Sequence, residues 1–517
     1  MTDRREHLNS GFLISVERYP DNSALRLRGN EWTYAQLDHI ARCWATELSG
    51  SDGRPPKRVG LFAHKSLASY AGMLAALYLG ATVVPLNRKF PLERTRLMVE
   101  VAGIDVILAD ESSAPQIPAI LGSEDIRVSV FSDSGRCEEP PMTSPVFVDP
   151  DEAAYLLFTS GTTGVPKGVP VSHRNITHFL EVMAERYDFG PDDRFTQNFD
   201  QTFDLSMFDL FMAWRSGGCL VPMEAIHQLA PFRFVAENGI SVWFSVPSVP
   251  GLLREKGSLT PNSLSPLRWS LFCGEALPVE SARAWQRAAS RSVVENLYGP
   301  TEVTVACMAH RWSPRVSDAS RANGTVPIGI PIRGTNADLF NSQLELVSDG
   351  EGEICLAGPQ VFSGYWENAA LTARVLFEAQ GSDGVMRKWY RTGDIAKRND
   401  GGEFIFLGRI DQQVKINGMR VELGEIEGEL NRQNGVTRSA VVTVAGSAES
   451  TARLVAFVCG KDLEKGAGSK IQRELREHLP SYMIPHRIEV IHEFPLNSNG
   501  KTDTSALKAL ATARVWA

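Results

Sequence analysis

From about residue 58 the chain alternates short apolar runs with helical patterns. "RVGLFAH" (58–64) predicts a strand, "SLASYAGMLAALYLG" (66–80) a helix ending at Gly80, and "TVVPL" and "DVILAD" further strands. The rhythm returns with the strand "AAYLLF", the helix "RNITHFLEVMAERY" and the runs "GCLVPM", "ISVWFSVP" and "LRWSLFCGE". The helix "PVESARAWQRAA" and the strand "VVENLYG" follow. Strand–helix alternation on this scale predicts an α/β architecture whose functional loops lie at strand ends. Past the Gly- and charge-rich stretch 402–423 the grain changes. A helix near "LGEIEGELNR", strands "RSAVVTV" and "RLVAFVC", a helix "KIQRELREHL" and a strand "RIEVI" predict a small α+β domain behind a polar hinge. The expected division is a large mixed-sheet domain over 1–410 and a small mobile domain over 411–517.

Length and composition bound this picture without changing it. A chain of 517 residues exceeds one simple core. Its 43% hydrophobic and 22% charged residues suit a globular protein with no bilayer-length apolar run. A net charge of −8 without a basic stripe argues against a nucleic-acid partner. Seven scattered cysteines without a CxxC pair indicate neither a disulfide framework nor a zinc knuckle. With no apolar core of a signal peptide at the start, a cytoplasmic location is expected.

The chemistry concentrates in "FTSGTTGVPKGV" (158–169). Gly161, Gly164 and Gly168 let backbone N–H groups converge. Thr159, Ser160, Thr162 and Thr163 add hydroxyls, and Lys167 adds a mobile charge. Such a loop suits phosphates, although the Walker A spacing is not met. The segment resembles the phosphate loop of the adenylate-forming ligases, which include acyl-CoA synthetases, luciferases and peptide-synthetase adenylation domains. "NLYGPTE" (296–302), "YRTGD" (390–394), "GRIDQQVKINGMRVELGEIE" (408–427) and "PLNSNGK" (495–501) follow in the family's order.

That resemblance implies ATP and Mg2+ as cofactors and a two-step reaction. Nucleotide contacts fall on the phosphate loop, Gly274, Glu275, Asn296, Tyr298, Gly299, Asp394, Arg409 and Lys415. Asn296 and Tyr298 would meet adenine and Asp394 the ribose. Thr301, Glu302 and Lys501 are the expected catalytic residues, Glu302 as the metal's oxygen ligand and Lys501 as a cation swung in from the small domain. Carboxylate attack on an α-phosphate brings two anions together, so a fixed positive charge lowers that barrier. Asp411 resembles the hinge about which the small domain turns to present Lys501 or the loop around Gly418.

"FDLS" resembles the FDxS segment of amino-acid-activating members, in which the Asp meets an α-ammonium group. Asp204 would do so here, although an N-cap role is the alternative on local grounds. The other pocket positions carried over are Leu205, Phe208, Ser245, Leu271, Cys273, Leu297, Val305 and Ala306. This apolar lining implies a small neutral amino acid. "VWFSVPS" with "LFCGEALP" resembles D-alanine:carrier-protein ligases, whereas Phe208 and Leu297 lie closer to stand-alone proline-activating enzymes. D- or L-alanine leads, proline follows and serine stays open. No phosphopantetheine-bearing segment follows Lys501, so the acceptor thiol is expected on a separate carrier protein. A small-acid CoA ligase and a non-catalytic nucleotide- or carrier-binding protein are the rival readings.

Overall fold

The computed structural model describes residues 6–50, 54–161, 166–228, 230–314, 324–411, 413–445, 452–460, 463, 466–495 and 502–515. Thr162, Thr163, Gly164 and Lys501, all expected at the site, lie outside the described residues.

Five sheets form among the described residues. The largest runs Ile330–Pro331, Met308–Arg311, Val293–Tyr298, Trp269–Phe272, Val242–Ser245, Arg194–Gln197, Cys219–Pro222, Ser23–Leu27 and Asn30–Thr33. Its central strands pair in parallel and are buried along their length, as sheets covered on both faces must be. The second sheet runs Arg127–Phe131, Val106–Asp110, Arg58–Phe62, Thr82–Pro85, Ala153–Thr159 and Lys167–Ser172. Packed between these sheets, the helix Leu67–Tyr78 is buried at every position. Such a helix carries apolar residues on all faces rather than an amphipathic stripe.

An antiparallel sheet built on the long strand Met386–Arg398 completes the large unit. The small α+β unit has its own three-stranded sheet, Arg438–Ala445, Ala452–Cys459 and Arg487–Val490, with the helices Leu423–Asn431 and Ala467–His478 against it. The α/β class with a large N-terminal and a small C-terminal domain is therefore the observed architecture. The hairpin Gln413–Ile416 and Met419–Glu422 projects from the small unit onto the ends of the large unit's strands.

Candidate active site

The buried strand Ala153–Thr159 pairs antiparallel with Lys167–Ser172, Thr159 opposite Lys167. The glycine-rich segment is thus the connection of a strand pair, its two ends pinned by the sheet. Ser160 is buried and donates its Oγ to the Arg420 carbonyl at 2.7 Å. The Thr159 Oγ1 is buried without a hydrogen-bond partner among the described residues. An orphaned hydroxyl in such a loop is a donor held ready for a ligand.

Facing this loop, the strand Val293–Tyr298 delivers the "NLYGPTE" turn. The Asn296 amide donates to the Pro327 carbonyl at 2.9 Å, while its Oδ1 stays buried and unpaired among the described residues, an acceptor suited to an exocyclic amine. Tyr298 donates its hydroxyl to Asp394 at 2.6 Å, and Arg409 binds the other oxygen of that carboxylate. Arg409 also pairs with Asp411 at 2.8 Å, linking Asp394 to the position expected as the hinge. Gly299 has no room for a side chain, since a Cβ there would lie 2.6 Å from the Ala306 Cα.

Beyond Glu302 the chain turns through Thr304 and Val305 at φ +54° and +67°. A β-branched residue in left-handed space is strained by about 1–3 kcal/mol. Gln360 holds the turn by donating to the Val303, Thr304 and Ala306 carbonyls at 3.3, 3.2 and 2.9 Å. Sequence reasoning missed Gln360, which no local pattern marks.

Glu302 itself has no exposed surface. Arg420 donates to both its oxygens at 3.0 and 3.1 Å, and the Tyr365 hydroxyl to one at 2.6 Å. Burial opposes the charge, yet Arg420 and Tyr365 outweigh it and hold the carboxyl below its ordinary pKa. Glu302 is thus an ionised oxygen donor. Mg2+ is commonly held by one carboxylate plus substrate phosphates, and this donor fits such an ion provided that Arg420 yields its place.

Asp204 precedes the buried helix Leu205–Ser216 and makes no side-chain cap bond, so the N-cap alternative fails at the side chain. Its half-buried carboxylate lines a cavity of about 100 Å3 with Thr159, Ser160, Cys273, Gly274, Thr301 and Lys415. Burial pushes its pKa up to about 6, the Thr301 hydroxyl and Lys415 ammonium pull it back, and the Glu302 charge adds to the rise. Burial likewise raises the Cys273 thiol to about 12, so it is a neutral wall and not a nucleophile. An adjoining cavity of about 560 Å3 is lined by Glu275, Leu297, Tyr298, Asp394, Arg409 and Lys415, among others.

The remaining pocket expectations are only partly met. Leu205 lines the first cavity and Leu297 the second. Phe208, Ser245, Leu271, Val305 and Ala306 are buried behind the walls and line neither cavity. Phe208 packs among Phe179, Tyr187, Phe189 and Phe244, whose mutual ring contacts hold it in the core. Ser245 spends its hydroxyl on Trp243 Nε1 and the Val246 carbonyl. Phe199, Phe203, Val246, Met419 and Tyr482 line the first cavity unforeseen, Met419 and Tyr482 arriving from the small unit.

The docked hairpin closes the site. Gly418 donates its N–H to Glu275 at 2.8 Å and sits at φ +78°, where a Cβ would lie 2.3 Å from Val246 Cγ1. Lys167 pairs with Glu422 at 3.2 Å and Arg94 with Glu425 at 2.5 Å.

Comparison with known proteins agrees with this geometry. Residues 12–366 match the AMP-binding enzyme family and residues 425–501 the AMP-binding enzyme C-terminal domain. The chain is 33% identical to an L-proline--[L-prolyl-carrier protein] ligase of Streptomyces coelicolor, over 91% of this chain and 90% of that protein. It is 34% identical to the phosphinothricin tripeptide synthetase PhsC of Streptomyces viridochromogenes, over 98% of this chain but only 45% of that longer protein. The Vibrio cholerae adenylation domain AlmE, solved with glycyl-adenosine-5'-phosphate, superposes with a TM-score of 0.86 at 28% identity, covering 98% of each chain. With both family models matched in order and the C-terminal unit docked over the glycine-rich loop and Asp394, this chain belongs to the AMP-binding enzyme family.

Proposed function

We propose that the protein is an amino acid:carrier-protein ligase that activates a small neutral amino acid with ATP and transfers it to the thiol of a separate carrier. The observation that carries this reading is Asp204. A raised, half-buried carboxylate without a salt bridge among the described residues faces a small cavity beside the phosphate loop. Such a group calls for a cationic partner, and an α-ammonium group brings one. The named proline-carrier ligase and the glycyl-adenylate complex among its relatives support the same substrate class.

In this reading the phosphate loop and Lys167 bind the triphosphate, Asn296 and Tyr298 orient adenine, and Asp394 binds the ribose hydroxyls. Asp204 and Thr301 anchor the ammonium end so that the substrate carboxylate points at the α-phosphate. Glu302 holds Mg2+, which when bound neutralises phosphate charge. The carboxylate oxygen bonds to the α-phosphorus, the bond to the β-phosphate oxygen breaks, and that oxygen keeps the electron pair as pyrophosphate leaves. Lys501, near the end of the small domain (411–517), offsets the negative charge of this step. Rotation about Asp411 then brings the Gly418 loop over the site of the large domain (1–410), where a carrier thiol attacks the acyl carbon and AMP leaves. ATP–pyrophosphate exchange across a panel of small amino acids, with both alanine enantiomers and proline, tests the reading. Exchange driven by acetate or benzoate, and by no amino acid, would replace it with the small-acid ligase.

A further inference from the structure

Two small-unit side chains, two residues apart, meet the phosphate site with opposite charges. Arg420 holds Glu302 and Glu422 holds Lys167, while Glu425 is taken by Arg94. A cation thus lies against the acid assigned to the metal, and an anion lies against the lysine assigned to phosphates. We infer that Arg420 and Glu422 form a charge replica of magnesium pyrophosphate that docks only into the subsite this product has left. The inference rests on the assignment of Glu302 and the phosphate loop proposed above.

The pairs are mutually exclusive by charge and by space. Glu302 is fully enclosed, Arg420 is largely so, and Ser160 is tied to the Arg420 backbone, so no second ligand set fits while the hairpin is docked. Departure of pyrophosphate would otherwise leave Glu302 and Lys167 enclosed without partners, which is costly. The replica satisfies them and bars pyrophosphate from re-attacking the adenylate. Order in the reaction then follows from electrostatics: the thiol-accepting arrangement cannot form until the first product has gone.

Domain docking followed by fluorescence energy transfer, with one label in each domain of the full-length protein, tests this without ATP or amino acid. Magnesium pyrophosphate is expected to undock the hairpin, and Glu422→Gln to lower the midpoint at least tenfold. Pyrophosphate that binds by calorimetry but leaves the transfer unchanged overturns the inference, as does an unchanged midpoint in a variant with native circular dichroism. A protein that undocks normally but activates no amino acid sustains the inference and defeats the substrate reading instead.

A separate observation lies far from this site. On the helix Tyr34–Ser49, His39 and Cys43 share a face one turn apart, and Cys137 reaches them from the segment after strand Arg127–Phe131. Their ligand atoms lie within 4.8 Å of one another, and Cys43 Sγ is 3.7 Å from His39 Nε2. A tetrahedral zinc ion spaces sulfur and nitrogen ligands about 3.6 Å apart. The geometry points to a zinc-class metal site that staples the 132–146 segment to this helix. Protein purified under reducing conditions and dialysed against Zn2+ should retain one equivalent by elemental analysis, lost in Cys43→Ser and Cys137→Ser but kept in Cys459→Ser. Co2+ loading should show thiolate-to-metal absorption. Less than a tenth of an equivalent, or a Cys43–Cys137 disulfide under those conditions, overturns it.

Discussion

Replacing Asp204 with Asn should stabilise the free protein while disabling it. Burial lifts this carboxyl from 3.8 to about 6, which corresponds to roughly 3 kcal/mol at 1.36 kcal/mol per tenfold. The cavity keeps the group partly solvated, so about 1–3 kcal/mol is the working range. Because the folded-state value lies above the unfolded one, the ionised form is the costly one. The penalty is absent below about pH 4, grows through pH 6 and is complete by pH 7.5. Asp204→Asn removes the charge but keeps an acceptor for Thr301. For a chain of this length its melting temperature should rise roughly 1–3 °C at pH 7.5 and by only about a third of that at pH 4.5. Truncating one partner of an enclosed charge pair costs about 2–5 kcal/mol, so exchange should fall 30-fold or more. In the native enzyme the KM for the amino acid should rise as pH drops below about 6, as the anion is lost. Thermal unfolding at two pH values and ATP–pyrophosphate exchange from pH 5 to 8 measure all three. A less stable Asp204→Asn at pH 7.5, or a KM flat across that range, would refute the assignment of Asp204 as the ammonium anchor.

Other outcomes follow from the same geometry. Lys501→Ala should abolish adenylate formation while ATP still binds, read by exchange against equilibrium dialysis. Gly418→Ala should leave adenylate formation largely intact but slow carrier loading more than tenfold, since the new Cβ meets Val246 at 2.3 Å in the docked arrangement; equal loss of both half-reactions would contradict it. Gln360→Ala should release the strained Thr304–Val305 turn and lower kcat more than KM, while Val305→Gly in that background should restore part of the loss. Glu302→Gln should raise the Mg2+ concentration needed for half-maximal exchange, and an unchanged requirement would place the ion elsewhere.

The strands, helices and loops that frame the site were legible because their causes are local. Alternation of apolar runs with amphipathic segments marked the sheets. Glycines and hydroxyls marked the loop after Thr159, and Asp204, Cys273, Tyr298 and Asp394 were found where their motifs put them. What the pocket wall is made of was less legible. Phe208 and Leu271 were expected at the wall from the family resemblance, but the aromatic cluster behind the wall retains Phe208, while Met419 and Tyr482 enter from a unit about two hundred residues away.

By itself, then, the order of residues determined the α/β class, the two units and the set of groups that chemistry requires. Those depend on periodicity and on short motifs whose partners are neighbours in the chain. Only the tertiary structure decided which charges meet: Arg420 with Glu302, Glu422 with Lys167, Gln360 beneath a strained turn. Such pairings join segments far apart in sequence, and their energies come from shared burial, which no local pattern encodes.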